Sequence, residues 1–74
     1  MEYIETLYFG EAYPVKLKEV KQGEFFLRSP RSRRVCIRDE YDRSEKKYAF
    51  HFWDDINEGT YLRGNEIVYI GFTF

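Results

Sequence analysis

The residues best suited to chemistry are five arginines in a stretch that holds no carboxylate. Residues 28–38 read Arg28-Ser29-Pro30-Arg31-Ser32-Arg33-Arg34-Val35-Cys36-Ile37-Arg38. A guanidinium presents a planar fork of donors that matches phosphate and carboxylate oxygens, so these residues offer anion recognition rather than bond breaking. The whole chain sums to -1 at pH 7, which makes the remainder acidic and the charge one-sided. Clustering of this kind points to an anionic partner.

His51 and Trp53 add what a nucleic acid needs besides cations. An exposed indole gives an unpaired base a surface to stack on, and arginines neutralise the backbone beside it. The predicted binding set is Arg28, Arg31, Arg33, Arg34, Arg38, His51 and Trp53. The same pattern also fits a solvated strand whose arginines pair with carboxylates elsewhere. The acidic pI of about 5.8 weighs against a dedicated nucleic-acid binder. The carboxylates of residues 1–11 would also repel a phosphate backbone.

Two further groups carry weaker chemistry. Cys36 and His51 would lie diagonally across a strand pair, roughly 7–8 Å apart, with no third orienting group, so a nucleophilic thiol is not expected. Asp54, Asp55, Asn57 and Glu58 supply oxygens, but not at the spacing of a calcium loop, and turn chemistry explains them equally well. The expectation is a noncatalytic protein without metal or cofactor.

The elements that must position these residues are short strands. Residues 34–42 and 47–55 read as a hairpin with loop 43–46, pairing Asp42 with Lys47 and Tyr41 with Tyr48. That register sets Ile37 opposite Phe52, Arg38 opposite His51 and Cys36 opposite Trp53. Val35, Ile37 and Tyr41 then face inward with Tyr48, Phe50 and Phe52. Arg34, Cys36, Arg38 and Glu40 emerge with Ala49, His51 and Trp53, and a one-residue slip would scramble both sets.

Elsewhere the punctuation is clear. Residues 1–14 are acidic and aromatic and fit a strand or a helical face almost equally; Thr6 and the aromatics favour strand, ended by Gly10 and Pro14. Residues 15–23 alternate and then close in a short helical turn at Gly23. Residues 24–28 form a strand, 29–32 a turn at Pro30, and 54–59 a turn segment. Gly64-Asn65 makes a two-residue hairpin turn that places Arg63 opposite Glu66 and Tyr61 opposite Val68. The last strand is apolar on both faces and must be covered or serve as a protein contact.

A 74-residue chain forms one domain, 1–74, and buries only about 60% of its unfolded surface, so its seven Phe, seven Tyr and one Trp must carry the core. Phe25, Phe26, Tyr48, Phe50, Phe52 and Phe72 are therefore core rather than a ligand pocket. The lone cysteine excludes an internal disulfide. With no basic-then-apolar leader and no long apolar run, the expectation is a soluble, cytoplasmic protein with no membrane partner.

The fold class is all-β: a small SH3-like barrel or a strongly curved antiparallel sheet of five to six strands with one short helical turn. Closure is favoured, because open aromatic edges are sticky. The stretch Leu17-Lys18-Glu19-Val20-Lys21-Gln22-Gly23-Glu24-Phe25-Phe26 resembles the lead-in to many small SH3-like β-barrels, where a short turn and a glycine open an apolar strand. The likeness covers residues 15–74 and leaves 1–14 as an acidic N-terminal strand or extension. Residues 40–44 and 53–57 also resemble small uncharacterised proteins of bacterial phages and mobile elements, a likeness that implies no chemistry. The functional expectation is a single-stranded RNA- or DNA-binding module acting through the arginine-rich hairpin. The alternative is a protein-interaction module or inhibitor acting on a host protein. A homo-oligomer through residues 1–9 or the C-terminal strand is a further expectation.

Overall fold

Seven antiparallel strands and one 3₁₀ turn make up the computed structural model, which describes residues 2–74. The strands are β1 (Ile4–Glu5), β2 (Glu11–Lys16), β3 (Phe25–Phe26), β4 (Cys36–Asp42), β5 (Lys47–Phe52), β6 (Asp55–Leu62) and β7 (Ile67–Ile70); the 3₁₀ turn is Leu17–Glu19. They form two sheets, ordered β1-β2-β7 and β3-β4-β5-β6. Leu27 joins them, exchanging two 2.9 Å backbone hydrogen bonds with Tyr69 of β7 just after β3 has paired with β4. Among the described residues no strand closes the array: β6 pairs only with β5, and β1 only with β2. The molecule is all-β, as the turn spacing predicts, but the expected closure is absent.

The core lies between the sheets. Leu17, Val20, Phe26, Cys36, Phe50 and Val68 are buried together, with Val15, Tyr48, Phe52, Leu62 and Ile70 packed against them. Phe26 and Leu27 are consecutive and both fully buried. Strict alternation would expose one of them, but the chain changes sheets at this point, and each side chain meets a different layer.

Several local predictions hold because they depend on near neighbours. Val20 N–H donates to the Leu17 carbonyl at 3.0 Å, closing the 3₁₀ turn, and Gly23 takes φ +88°. Ser32 N–H donates to the Ser29 carbonyl at 3.1 Å across the Pro30 turn. Loop 43–46 pairs Asp42 with Lys47 and Tyr41 with Tyr48.

Register and long-range pairing differ from the sequence expectation in four places. An extra residue enters β4 between Arg38 and Tyr41, so Cys36 pairs with Phe52, Ile37 with His51 and Arg38 with Phe50. The bulge reverses the facing of Cys36, Ile37 and Arg38, while Val35, just before β4, is buried as expected. Cys36 and Arg38 turn to the core side with Phe50 and Phe52, and Ile37 turns outward beside Phe25 and His51. Next, the predicted turn 54–59 is mostly strand: β5 turns at Trp53-Asp54, Phe52 pairs with Asp55, and a register shift then places Gly59 opposite His51.

The other two differences concern the chain's two ends. The Gly64-Asn65 turn is present, with Glu66 N–H donating to the Arg63 carbonyl at 3.1 Å, but its arms separate. β6 stays with β5 while β7 crosses to β2, so Tyr61 pairs with Ala49 and Val68 with Val15. Pro14 does not end the N-terminal strand but sits within β2, opposite Tyr69. β1 reaches only Glu11 and Ala12, so Pro14 has one open side where a missing N–H is tolerated. Residues 11–16 therefore belong to the fold rather than to an extension, and β7 is flanked by β2 and Leu27 rather than lying at an edge.

Candidate nucleic-acid interface

The predicted site is divided in two. Arg28, Arg33 and Arg34 meet around an open concavity of about 470 Å³, together with Ser29, Ser32 and Phe52. Trp53 and His51 lie on the opposite side of the β4–β5 hairpin. Trp53 sits edge-on to Phe74 at 5.1 Å, and Phe74 lies 5.2 Å from Phe25, on the Ile37 and His51 side. The indole is 55% exposed, so it is available to a partner, but it does not share a face with Arg38 as the alternation predicts.

Local chemistry builds the arginine concavity. The Ser29-Pro30 turn reverses the chain between β3 and β4, and the N-terminal loop buttresses it: Leu7 N–H donates to the Pro30 carbonyl at 2.8 Å. Tyr8 reinforces the same contact, its hydroxyl accepting from Arg33 Nε at 2.9 Å. The acidic leader thus holds the arginine loop rather than standing apart from it. Ser32 Oγ donates to the Arg34 carbonyl at 3.0 Å.

The five arginines differ in availability. Arg34 is engaged: its Nη2 is 2.9 Å from Asp54 Oδ1, its Nη1 is 3.1 Å from Glu58 Oε1, and its guanidinium carbon stands 3.8 Å from the Phe52 ring centroid. The hydrogen bonds it donates to Glu58 and then to Asp54 strengthen its hold on its proton. Arg28 is exposed, its guanidinium carbon 5.5 Å from the centroid of Phe50. Arg31 is exposed and makes no salt bridge among the described residues. Arg38 lies apart from the concavity, over the Tyr48 ring at 4.4 Å, with Nε buried and unpartnered.

His51 is half-buried, and its Nδ1 lies 2.7 Å from Asp39 Oδ2, a residue at the β4 bulge. Cys36 is fully buried and belongs to the core. Burial pushes its thiol up to about 12 against the opposing pull of Arg28 and Arg34. The thiol and the imidazole occupy opposite faces, so they form no nucleophile–base pair. The oxygens of 54–58 are spent locally: Asp54 and Glu58 hold Arg34, and Asp55 Oδ1 accepts from Asn57 N–H at 3.0 Å.

Ser29, Ser32, Phe52 and Tyr8 complete the site without having been singled out from sequence. The two serines lie between the arginines along the chain, which is a legible signal. Tyr8 is not legible, because its contact spans 25 positions. No family model, no curated protein and no solved structure matches this chain.

Proposed function

We propose that this protein is a noncatalytic module that binds single-stranded nucleic acid at the end of the β4–β5 hairpin. Arg28, Arg31 and Arg33 contact phosphates, and Trp53 stacks on a base that wraps around the hairpin rim. The carrying observation is the convergence of Arg28, Arg33 and Arg34 on one open concavity beside the exposed Trp53 turn. Trp53 N–H donates to the Val35 carbonyl at 2.8 Å, which keeps the indole's backbone next to Arg34 although the two side chains diverge. A phosphate and its neighbouring base are separated in the same way, so one nucleotide can straddle the rim.

Arg34 is the switchable member of the group. Its carboxylate partners are exposed, and exposed pairs are weak. An incoming phosphate can replace Asp54 and Glu58 at little cost. The Leu27–Tyr69 bridge, as the seam between the two sheets, supports a half-open version of the SH3-like architecture.

Fluorescence anisotropy with a labelled single-stranded oligonucleotide at several salt concentrations tests the reading. Three phosphate contacts, at about 0.7 per contact on single strands, give a log–log salt slope of about -2. A flat response rejects it.

A protein partner is the second reading, favoured by one observation. Phe25, Trp53 and Phe74 are 40%, 55% and 58% exposed, and Phe74 packs against both of the others, forming an aromatic surface on the outer face. Exposed aromatic clusters of this kind characterise protein contacts, with a second copy of this chain or a host protein as the occupant. Trp53→Ala abolishing a defined protein complex, with no nucleic-acid binding by the unaltered protein, would decide for it.

A further inference from the structure

A second cationic concavity, of about 410 Å³, lies at the opposite end of the β4–β5 hairpin. Three separate segments build it. Lys18 comes from the 3₁₀ turn, Lys46 and Lys47 from the junction of loop 43–46 with β5, and Arg63 from the turn before β7. Among the described residues Glu45 is the one carboxylate lining it, and Glu66 stands with Lys47 and Arg63 in the adjoining concavity. Among the described residues none of the four cations makes a salt bridge. Gathering unpaired like charges is unfavourable in the absence of a counter-charge.

The floor is aromatic. Tyr41 and Tyr48 stand with ring centroids 4.7 Å apart, Tyr41 is 43% exposed, and Arg38 lies against Tyr48 at 4.4 Å. Arg38 therefore supplies positive charge to the ring that lines the concavity. The segments are held together by backbone bonds: Lys18 N–H donates to the Gly64 carbonyl at 3.1 Å and Leu17 N–H to the Glu66 carbonyl at 2.9 Å. Gly64 closes the packing, since a Cβ there would come 2.9 Å from Tyr48 Cε2 and 3.2 Å from Lys18 Cβ.

Lys46 gives an independent sign. It has φ +56°, the left-handed region, in a loop position that glycine or asparagine occupies most comfortably. A lysine here is conformationally costly, and it lines the concavity. Strained residues of this kind cluster at ligand clamps.

We propose that this concavity binds a nucleoside di- or triphosphate. Four cations against Glu45 and the neighbouring Glu66 leave an excess of positive charge in a small volume, which adjacent phosphates match. The exposed Tyr41 ring provides a stacking face for the base. The source is either a free nucleotide or the phosphorylated 5′ end of a nucleic acid. The residues are distinct from Arg28, Arg31, Arg33, Arg34 and Trp53, so the proposal stands or falls separately from the arginine-end reading.

The test is an amide-shift titration with ADP, pyrophosphate and a 5′-triphosphorylated oligonucleotide at low ionic strength, on the full chain. ADP is expected to shift the amides of Lys46, Lys47 and Gly64. Tighter binding of ADP than of pyrophosphate identifies the ring contact, and larger shifts at those three amides with the 5′-triphosphorylated oligonucleotide than with the same oligonucleotide bearing a 5′-hydroxyl identify the nucleic-acid end as the source. Lys46→Gly is expected to weaken ADP binding by about tenfold, an ordinary loss for one charged contact, while the melting temperature holds or rises because glycine suits φ +56°. Arg28→Gln with Arg33→Gln is expected to leave ADP affinity unchanged. No shift at those three amides overturns the proposal, as does undiminished binding by a folded Lys46→Gly variant or equal loss in the arginine variant.

Discussion

The guanidinium carbon of Arg34 lies 3.8 Å from the ring centroid of Phe52, close enough for the cation to cover the aromatic face. Phe52 packs against the buried cluster, so Arg34 caps one end of the core while Asp54 and Glu58 hold its other side. One residue thus closes the core and forms part of the anion surface, while its two carboxylates limit the charge it presents.

Neutralising those carboxylates releases that charge. Asp54→Asn with Glu58→Gln is expected to raise single-stranded oligonucleotide affinity several-fold, on the order of the tenfold per 1.4 kcal/mol expected for one strengthened contact. Anisotropy at low salt reads it. Unchanged affinity would show that Arg34 is not displaced from its partners on binding.

Arg38 separates the structural expectation from the sequence expectation. It stands over Tyr48 with Nε unpartnered, outside the arginine concavity. Arg38→Met keeps the stem packing and removes an unsatisfied buried donor, so thermal stability is expected to be unchanged or higher. Oligonucleotide affinity should not fall. A marked fall would restore Arg38 to the nucleic-acid surface.

Cys36 makes stability depend on alkaline pH. In the unfolded chain its thiol ionises near about 8.5; in the folded protein burial pushes it up to about 12. The folded state then holds the proton more tightly, so the stabilisation is whole below about pH 8.5 and is lost as pH rises toward about 12. Urea midpoints of the unaltered protein should therefore fall more between about pH 7 and pH 9.5 than those of Cys36→Ala. Maleimide labelling at neutral pH should be slow in the folded state and fast in urea.

Gly59 is a test of the β5–β6 pairing. A Cβ there would clash with the Phe50 carbonyl oxygen and come within 2.8 Å of His51 Cα, both backbone atoms. Gly59→Ala should destabilise by about 1–3 kcal/mol, the usual range for overpacking. Exchange protection along β6 should be lost first. An unchanged urea midpoint would mean that β6 pairs with β5 in another register.

Phe26 anchors both sheets and is fully buried. Phe26→Ala should cost about 3–5 kcal/mol. Against the roughly 5–15 kcal/mol total of a small domain, that removes a large share of the stability. Phe26→Leu should remain folded with a lower melting temperature, and circular dichroism distinguishes the two.

Legibility followed the range of the forces involved. The Ser29-Pro30 turn, the 3₁₀ turn at Leu17 and the 43–46 loop depend on neighbouring residues and could be read directly. The inward set failed at Ile37, Cys36 and Arg38, because one extra residue at 39–40 has no signature in a stretch whose alternation reads well in either phase. Pro14 stands within β2 against expectation, because a proline ends a central strand but not one with an open side. For the site, clustering of Arg28, Arg33 and Arg34 was visible in their spacing, whereas the Tyr8 contact and the lysine concavity are assembled from distant segments.

Composition and turn chemistry alone determined that this chain is a small antiparallel all-β domain, because aromatic and β-branched strands between Gly, Pro and Asp turns have few other ways to bury themselves. Tertiary structure alone decided which side each residue of β4 faces, that β7 leaves its hairpin partner for β2, and that Trp53 diverges from Arg34. The cause is that a bulge or a change of sheet is settled by packing against distant strands, and packing against Phe26, Phe50 and Val68 favoured Cys36 inside over Ile37.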